Sequence, residues 1–309
     1  TSSTSFPTLQ IGKSTGSSAA SYSMNNNNTC DYIVFDASAG NRTLTLGSGV
    51  ILTVINDITI NQPSSTNTTN SLFINSTACN INGNLNFSGG NNNGTKVCQV
   101  VVTSGSLTIN GNVSWLSNNS VTSELITVST GIITFNRSLT MGDGSGTVAV
   151  TSTGKINFNG NIAPSLSFGG SHDPVLTTTS GCWLHFEKGI TTVTSSLTFA
   201  SGSNITVGSE TSVNDFAIDP GTTVTNNGTA TIYGNLTSTS ASAFVNAANA
   251  TLELKGSVSP NVTLNATATG NNVKYNSGGS QTIFATTYYN LTLDSTGTKS
   301  YGSGIAVNN

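Results

Sequence analysis

The chain has 309 residues, of which 35% are hydrophobic and only 7% are charged, and its formal net charge is −3. A typical soluble domain is about 25% charged, so the surface of this protein depends on uncharged polar residues. The sequence has no basic run to neutralise phosphates, which argues against nucleic acid as a partner, and no stretch of about 20 apolar residues to span a membrane. The apolar fraction still allows a packed core.

Residues 1–28 show no hydrophobic period and end in four asparagines. We expect an irregular N-terminal segment here, acting as a cap, a linker or a docking arm. From residue 29 to residue 309 a degenerate repeat organises the chain.

The repeat has two alternating apolar residues, a turn residue and a further apolar residue. One copy is Leu107-x-Ile109-x-Gly111-x-Val113. The mean spacing between turn positions is about 29 residues, within the range of solenoid repeats. The turn positions are 56, 83, 111, 137, 160, 195, 234, 256 and 289. Glycines at or six residues before several turns supply sharp corners.

Helix-type periodicity is nearly absent, which predicts an all-β fold. Short strands between glycine corners, repeated at this interval, predict a right-handed parallel β-helix, or β-solenoid, of roughly nine to ten coils. The structural alternative is a pair of antiparallel β-sandwich domains, because the Asn-Gly pairs of this chain are also hairpin signals.

Two long spacings predict insertions near residues 163–189 and 203–225. In the first, His185 and Glu187 alternate on a predicted strand, so their side chains share a face. These two residues could belong to a metal site or could form a polar pair that is hydrogen-bonded within the protein, and we favour the polar pair.

The four cysteines allow three full pairings. Cys79 occupies an inward apolar position and Cys98 lies in a strand assigned to a neighbouring coil, so a Cys79–Cys98 disulfide is one prediction. Buried free thiols are the alternative. Cys30 could pair with either residue or with another subunit. Cys182 lies far along the axis, which favours an unpaired or intermolecular cysteine.

Ser, Thr and Asn take the place of charged residues throughout, and this composition favours a secreted, extracellular or cell-surface protein. The chain opens at Thr1 without a signal peptide, as expected of a mature or trimmed segment. Asn-x-Ser/Thr triplets are candidate glycosylation sites, although this composition also produces them by chance. They include Asn41, Asn75, Asn112, Asn227 and Asn261.

Near the C-terminus, Gln-Thr-Ile at 281–283, Tyr-Tyr-Asn-Leu-Thr-Leu at 288–293 and Gly-Thr-Lys at 297–299 follow in order. This order resembles a repeat of large secreted bacterial surface proteins, common among Bacteroidota-type adhesin-like proteins, although Phe284 stands where that family usually has Pro. More loosely, the whole chain is similar to filamentous-haemagglutinin and autotransporter-passenger solenoids. The resemblance implies a β-solenoid, export, and adhesion or surface coating, with no catalytic set. The last ten residues have the pattern of a strand and a corner, with no further coil to pair with their backbone groups. We therefore expect more chain or another subunit there.

Stacked coils would align outward side chains in columns. One column is mainly Thr and the next mainly Asn, and the candidate interaction face comprises Thr53, Thr108, Thr134, Asn110, Asn136 and Asn159. Such columns could only stabilise the fold, because stacked Thr and Asn side chains hydrogen-bond to one another. They could also form a flat uncharged face that packs against a neighbouring molecule or, least favoured, bind ice.

Catalytic patterns are weak. Glycoside hydrolysis needs two carboxylates within about 5–10 Å, and the pair Asp215 and Asp219 reads as part of a solvated turn. We expect no enzyme activity, no cofactor and no metal.

The sequence predicts a structural protein, a subunit or segment of a cell-surface filament, sheath, coat or adhesin stalk. Its partners would be copies of itself or the rest of a longer chain, with glycans as a further candidate. The alternative is a carbohydrate-binding or polysaccharide-degrading β-helix with its site in 163–189.

Overall fold

The structure is a computed structural model that describes residues 4–12, 18–37, 39–88, 96–115, 124–137, 139–140, 146–159, 162–163, 175–177, 179–190, 193, 196–294 and 296–308. Within these residues every regular element is a β-strand. No helix in the described chain could cross a bilayer. The described residues up to 177 form one compact unit, unit 1, and those from 179 onward form a second, unit 2.

Unit 1 consists of short strands, numbered here in chain order. They are β1 (Thr4–Ile11), β2 (Ala20–Met24), β3 (Asn28–Phe35), β4 (Arg42–Leu46), β5 (Ile51–Val54), β6 (Ile58–Asn61), β7 (Thr69–Ile74), β8 (Ala78–Ile81), β9 (Leu85–Ser88), β10 (Val97–Val102), β11 (Ser106–Ile109), β12 (Val113–Trp115), β13 (Glu124–Val128), β14 (Ile132–Phe135), β15 (Leu139–Thr140), β16 (Gly146–Val150), β17 (Lys155–Phe158), β18 (Ile162–Ala163) and β19 (Val175–Thr177).

Two parallel ladders run along unit 1. The first ladder stacks β1, β3, β5/β6, β8/β9, β11/β12, β14/β15 and β17/β18; the second stacks β2, β4, β7, β10, β13, β16 and β19. Each residue pairs with the equivalent residue of the next coil, as Ile51 does with Ala78 and Ala78 with Ser106. The parallel registers confirm the predicted β-solenoid and contradict the antiparallel sandwich alternative.

Unit 2 continues the strand numbering. Its strands are β20 (Trp183–Phe186), β21 (Leu197–Phe199), β22 (Asn204–Val207), β23 (Phe216–Ala217), β24 (Thr223–Asn226), β25 (Thr229–Ile232), β26 (Leu236–Thr237), β27 (Ser242–Asn246), β28 (Thr251–Leu254), β29 (Val262–Asn265), β30 (Asn272–Tyr275), β31 (Gln281–Ile283), β32 (Thr287–Tyr288), β33 (Asn290–Leu293), β34 (Lys299–Tyr301) and β35 (Ala306–Val307).

The strands of unit 2 also pair in parallel. One ladder follows the order β20, β22, β25, β28, β30 and β33. A second ladder follows β21, β24, β27 and β29. The pairs β23–β26, β31–β34 and β32–β35 add a third strand to their coils. Unit 2 is therefore a parallel β-solenoid in its own right.

The strand pairing corrects one boundary prediction. In unit 2, Trp183 pairs with Asn204, and Asn204 pairs with Thr229. The chain between Asn204 and Thr229 is therefore one coil of the ladder. Residues 203–225 contain β22, β23 and β24, so they form a coil and are not an insertion. The repeat pattern missed this coil because β23 has two residues and follows a polar loop.

Two further boundary predictions agree with the structure only in part. Residues 1–28 are not uniformly irregular, because β1 and β2 pair with β3 and β4 as a regular coil. No residue of β2 is buried, so this strand contributes little to the core. Of the expected insertion 163–189, β20 belongs to a ladder, and residues 164–174 lie outside the described residues.

The core is a column of inward side chains, which come from every second residue of most strands. Leu52, Cys79, Leu107, Ile133 and Ile156 stand in register and are at most 1% exposed. Aromatic rings stack in the same way, as with Phe135 and Phe158, whose ring centroids are 5.3 Å apart. Each fully buried side chain of this size contributes about 1.5–3 kcal/mol to folding.

Glycine corners bring the coils into direct backbone contact. A Cβ added at Gly111 would lie 2.2 Å from the carbonyl oxygen of Gly83, and one added at Gly256 would lie 2.1 Å from that of Gly234. The amide of Gly111 donates a hydrogen bond to the Gly83 carbonyl at 2.8 Å. A side chain at these corners would separate the coils, so the Asn-Gly pairs at 82–83 and 110–111 mark coil corners and not hairpins.

We expect Gly256→Ala to destabilise unit 2 by about 1–3 kcal/mol, because the methyl group must displace the Gly234 carbonyl from its stacked position. Urea unfolding followed by circular dichroism would measure the loss. Gly302→Ala is the matched control, since no atom lies within 4 Å of its added Cβ. Equal stability of the two variants would contradict the close-contact interpretation.

Candidate functional site

The outward side chains of the first ladder of unit 1 form three columns, which we call the outer face. The columns are Ile51, Ala78, Ser106, Ile132, Lys155; then Thr53, Asn80, Thr108, Thr134, Asn157; then Ile55, Asn82, Asn110, Asn136, Asn159. All six residues of the predicted interaction face lie in the second and third columns. Lys155 is the one charged residue among the fifteen, so the outer face is almost uncharged.

The third column is a continuous asparagine ladder. The side-chain amide of Asn110 donates to Asn82 Oδ1 at 3.1 Å, that of Asn136 donates to Asn110 Oδ1 at 2.7 Å, and that of Asn159 donates to Asn136 Oδ1 at 2.8 Å. An amide has two N–H donors and an oxygen with two lone pairs, and each middle residue uses one of each here. One donor and one lone pair per coil are left for water or a partner.

The threonine column is half-buried and partly hydrogen-bonded. Asn80 separates Thr53 from Thr108 in this column, Thr108 and Thr134 are neighbours, and Asn157 Nδ2 donates to Thr134 Oγ1 at 3.2 Å. Asparagines interrupt the threonine column, so the hydroxyl groups do not form the regular array that the ice-binding alternative requires.

Sequence reasoning placed Ile55 in an outward column but missed the outward Ile51 and Ile132. Ile51, Ile55 and Ile132 are 41%, 46% and 41% exposed. Ile51 and Ile132 precede Thr53 and Thr134 by two residues, so the alternation that predicts outward threonines also predicts outward isoleucines. The outer face therefore combines apolar side chains with spare amide groups.

The glycosylation candidates lie at or near corners. Asn227 is half-buried and, like Asn261, donates its Nδ2 hydrogen to a carbonyl oxygen of the preceding coil. Glycan attachment occurs at this nitrogen, so the more accessible candidates, which remain predictions, are Asn41, Asn75 and Asn112, all exposed.

The predicted Cys79–Cys98 disulfide is not formed. Cys79 lies in β8 of the first ladder and Cys98 in β10 of the second, so the two residues sit on different sheets of the same coil. All four cysteines are buried free thiols. Burial raises the pKa of the Cys30 thiol to about 11 and that of the Cys79 thiol to about 12, with smaller contributions from Asp31 and Cys30, respectively.

His185 and Glu187 form a polar pair that holds a loop of unit 2. His185 Nε2 lies 2.8 Å from Glu187 Oε2, and Ser209 Oγ donates to Glu187 Oε1 at 3.0 Å. Ser212 Oγ and Asn214 Nδ2 donate to the backbone carbonyl of Glu187 at 3.1 and 2.9 Å. Both carboxylate oxygens are engaged, and residues 208–215, which we call the anchored loop, are fixed against β20.

The hydrogen bonds to Glu187 lower the pKa of its carboxyl group. Burial acts to raise the pKa of this carboxyl group, but hydrogen bonds from His185 and Ser209 and the charge of His185 outweigh burial and hold the pKa below its ordinary value. No cluster of three or more His, Cys, Asp or Glu side chains that could hold a metal occurs in the described part of the chain. The arrangement positions a loop of unit 2.

The aspartates serve the coil corners. Asp57 Oδ1 accepts a hydrogen bond from the Asn84 amide at 2.6 Å, and Asp215 Oδ1 accepts one from the Asn235 amide at 2.6 Å. Asp215 is exposed, in agreement with the predicted solvated turn, and its carboxylate is in addition tied to the next coil. Its partner belongs to a different coil, which local sequence could not reveal.

We expect the native chain, without reductant, to resist thiol alkylation by iodoacetamide at pH 8, because all four thiols are buried. After unfolding in guanidinium, mass spectrometry should find four alkylated cysteines. Only two alkylated cysteines after unfolding would show a disulfide and contradict the free-thiol arrangement.

We expect Glu187→Gln to release the anchored loop, because a neutral amide replaces charge-assisted hydrogen bonds. Amide hydrogen exchange in residues 208–215 should accelerate about five- to tenfold, as for a loss of about 1 kcal/mol. Glu210→Gln, in the same loop but exposed, is the control and should leave exchange unchanged.

The stabilisation by Glu187 also depends on pH. Since its pKa is lowered by folding, the carboxylate stabilises the loop above its unfolded-state pKa, about 4.3, and this contribution is lost as the pH falls through the lower folded-state value. After correction for intrinsic rates, acid should accelerate loop exchange in the wild-type chain but not in Glu187→Gln. The same acid response in both would contradict this role.

The described geometry presents two surfaces with organised side chains, the outer face of unit 1 and the region of the anchored loop in unit 2. Functional inference for this chain rests on these residues, because no protein-family model, no curated protein and no solved structure matches it.

Proposed function

We propose that the chain is an extracellular structural protein, a subunit or segment of a cell-surface filament, sheath, coat or adhesin stalk, that acts by self-association or adhesion. The outer face of unit 1 is the observation that supports this proposal most directly. It is a sheet surface whose asparagine ladder has spare hydrogen-bonding groups at successive coils and whose three isoleucines are more than 40% exposed.

A second copy of the chain is a suitable partner for such a face. Coils repeat at the strand spacing of about 4.8 Å, so the spare donors and acceptors of two outer faces have the same repeat. Hydrogen bonds to water compete with each of these contacts, and the net gain per bond is only about 0.5–1.5 kcal/mol. The exposed isoleucines add apolar burial at about 25 cal/mol per Å².

The scarcity of charge supports association that is insensitive to salt. Lys155 is the one charge on the outer face, and screening by ions acts mainly on exposed charges. An assembly held by this face would therefore persist across the range of ionic strength that an extracellular protein meets.

The carboxylates support a structural role and not a catalytic one. Asp57 and Asp215 accept backbone hydrogen bonds at corners, and both oxygens of Glu187 are occupied by neighbouring side chains. A hydrolase would need an acid and a second carboxylate facing a common substrate. The C-terminal resemblance to secreted adhesin-like repeats and the exposed sequons at Asn41, Asn75 and Asn112 further support an exported, glycosylated surface protein.

Negative-stain electron microscopy of the purified chain at physiological salt tests the proposal. We expect regular filaments, tubes or sheets, and we expect the double variant Ile51→Lys, Ile132→Lys to raise the concentration needed for assembly at least tenfold. The two lysines would place charges three strands apart in one column of the outer face.

The matched control is Thr45→Lys, Thr127→Lys, which places two lysines three strands apart in an outward column of the second ladder. This variant should assemble like the wild-type chain. Monodisperse short rods for the wild-type chain at high concentration would refute self-association, and equal loss of assembly in both variants would refute the outer face as its site.

A further inference from the structure

Unit 2 has a groove between the anchored loop and the ends of three strands. Its volume is about 470 Å³, and its walls include Glu210 and Val213 from the loop and Tyr233, Lys255 and Asn276 from successive coils. Tyr233, Lys255 and Asn276 follow β25, β28 and β30 directly, so they occupy one column. We call this space the Tyr233 groove.

The half-buried Tyr233 ring lines the groove together with Lys255. Lys255, in the following coil, places its Nζ 5.4 Å from the ring centroid. In the preceding coil the equivalent position is Gly208, and the anchored loop fills the space there, since an added Cβ would lie 2.7 Å from the Ser212 carbonyl oxygen. Tyr233 therefore meets the groove beside Val213 and Lys255.

The charge of Lys255 is balanced inside the protein. Its Nζ lies 3.4 Å from Glu253 Oε1, and the same oxygen accepts a hydrogen bond from Asn276 Nδ2 at 2.8 Å. The Asn276 carbonyl oxygen and the exposed Glu210 carboxylate add acceptors to the groove. A ligand would therefore meet an aromatic ring, fixed acceptors and no uncompensated positive charge.

This set of groups matches the chemistry of a neutral sugar. A pyranose ring has a C–H face that packs on an aromatic ring, and its rim of hydroxyl groups donates hydrogen bonds to amide and carboxylate oxygens. An anionic ligand is disfavoured by Glu210 and by the neutralised Lys255. An apolar ligand is disfavoured because Tyr233 and Val213 are the only large apolar side chains in the walls.

We propose that the Tyr233 groove binds one or two residues of a neutral glycan, with the sugar ring stacked on Tyr233 and its hydroxyl groups hydrogen-bonded to Glu210 and Asn276. The anchored loop is the pre-formed wall of this site. Hydrogen bonds from Ser209 and Ser212 to Glu187 hold the loop in place before a ligand arrives, which reduces the entropy cost of binding.

The test uses the full 309-residue chain, produced without glycosylation, and four hexasaccharides: the neutral β-1,4-glucan, α-1,4-glucan and β-1,4-mannan, and the charged polygalacturonate. Saturation-transfer NMR detects binding and isothermal titration calorimetry measures affinity. We expect at least one neutral hexasaccharide to bind, with saturation of its ring C–H protons, and polygalacturonate to bind more weakly or not at all.

Two groove variants should remove this binding. Tyr233→Ala deletes the stacking surface and should lower affinity at least tenfold. Val213→Trp fills the groove from a position that is 66% exposed, so it should block binding without disturbing the core. Tyr32→Ala, at a 43% exposed tyrosine of unit 1, is the matched control and should bind like the wild-type chain.

Failure to bind any neutral hexasaccharide, or unchanged affinity in both groove variants, would overturn the proposal, and so would tighter binding of polygalacturonate. The assay is independent of self-association, because it can be repeated on the Ile51→Lys, Ile132→Lys variant. Loss of glycan binding in that variant would mean that assembly, and not the groove, creates the site, and would also overturn the proposal.

Discussion

Direct backbone stacking between successive coils is the constraint on which the rest of the structure depends. At the corners, Gly111 and Gly256 lie so close to the carbonyl groups of the coil before that a single methyl group would not fit. This contact keeps every strand within hydrogen-bonding distance of the next and holds each residue above its equivalent. Inward side chains consequently form a continuous core, and outward side chains form columns whose members are one strand spacing apart.

The columns explain how a chain with few charges obtains organised surfaces. On the outer face of unit 1, identical amides satisfy one another along the column, so no ion pair is needed to order them. In unit 2 the same column position carries a glycine, a tyrosine, a lysine and an asparagine in turn. Repetition produces an extended face in the first case, and variation at one position produces a local groove in the second.

The fold could be predicted because its signals are local. Alternation around Leu107 and Ile109 gives the strand, and Gly111 gives the corner. The threonine and asparagine columns follow from spacing alone. Prediction failed where a strand is short or where partners lie a coil apart. The coil at 203–225 was hidden by the two-residue strand at Phe216. The sequence placed Cys79 and Cys98 in adjacent coils, because spacing does not tell which sheet a strand joins. The anchoring role of Glu187 was not visible because its partner Ser209 lies in the following coil.

The asparagine ladder also has a direction. Asn110 donates to Asn82, Asn136 to Asn110 and Asn159 to Asn136, so every amide donates towards the N-terminal coil and accepts from the C-terminal one. The side-chain dipoles therefore add along the solenoid axis and do not cancel. A molecule that lies against this row meets a different sequence of donors and acceptors when it is turned end for end. The outer face thus distinguishes parallel from antiparallel neighbours.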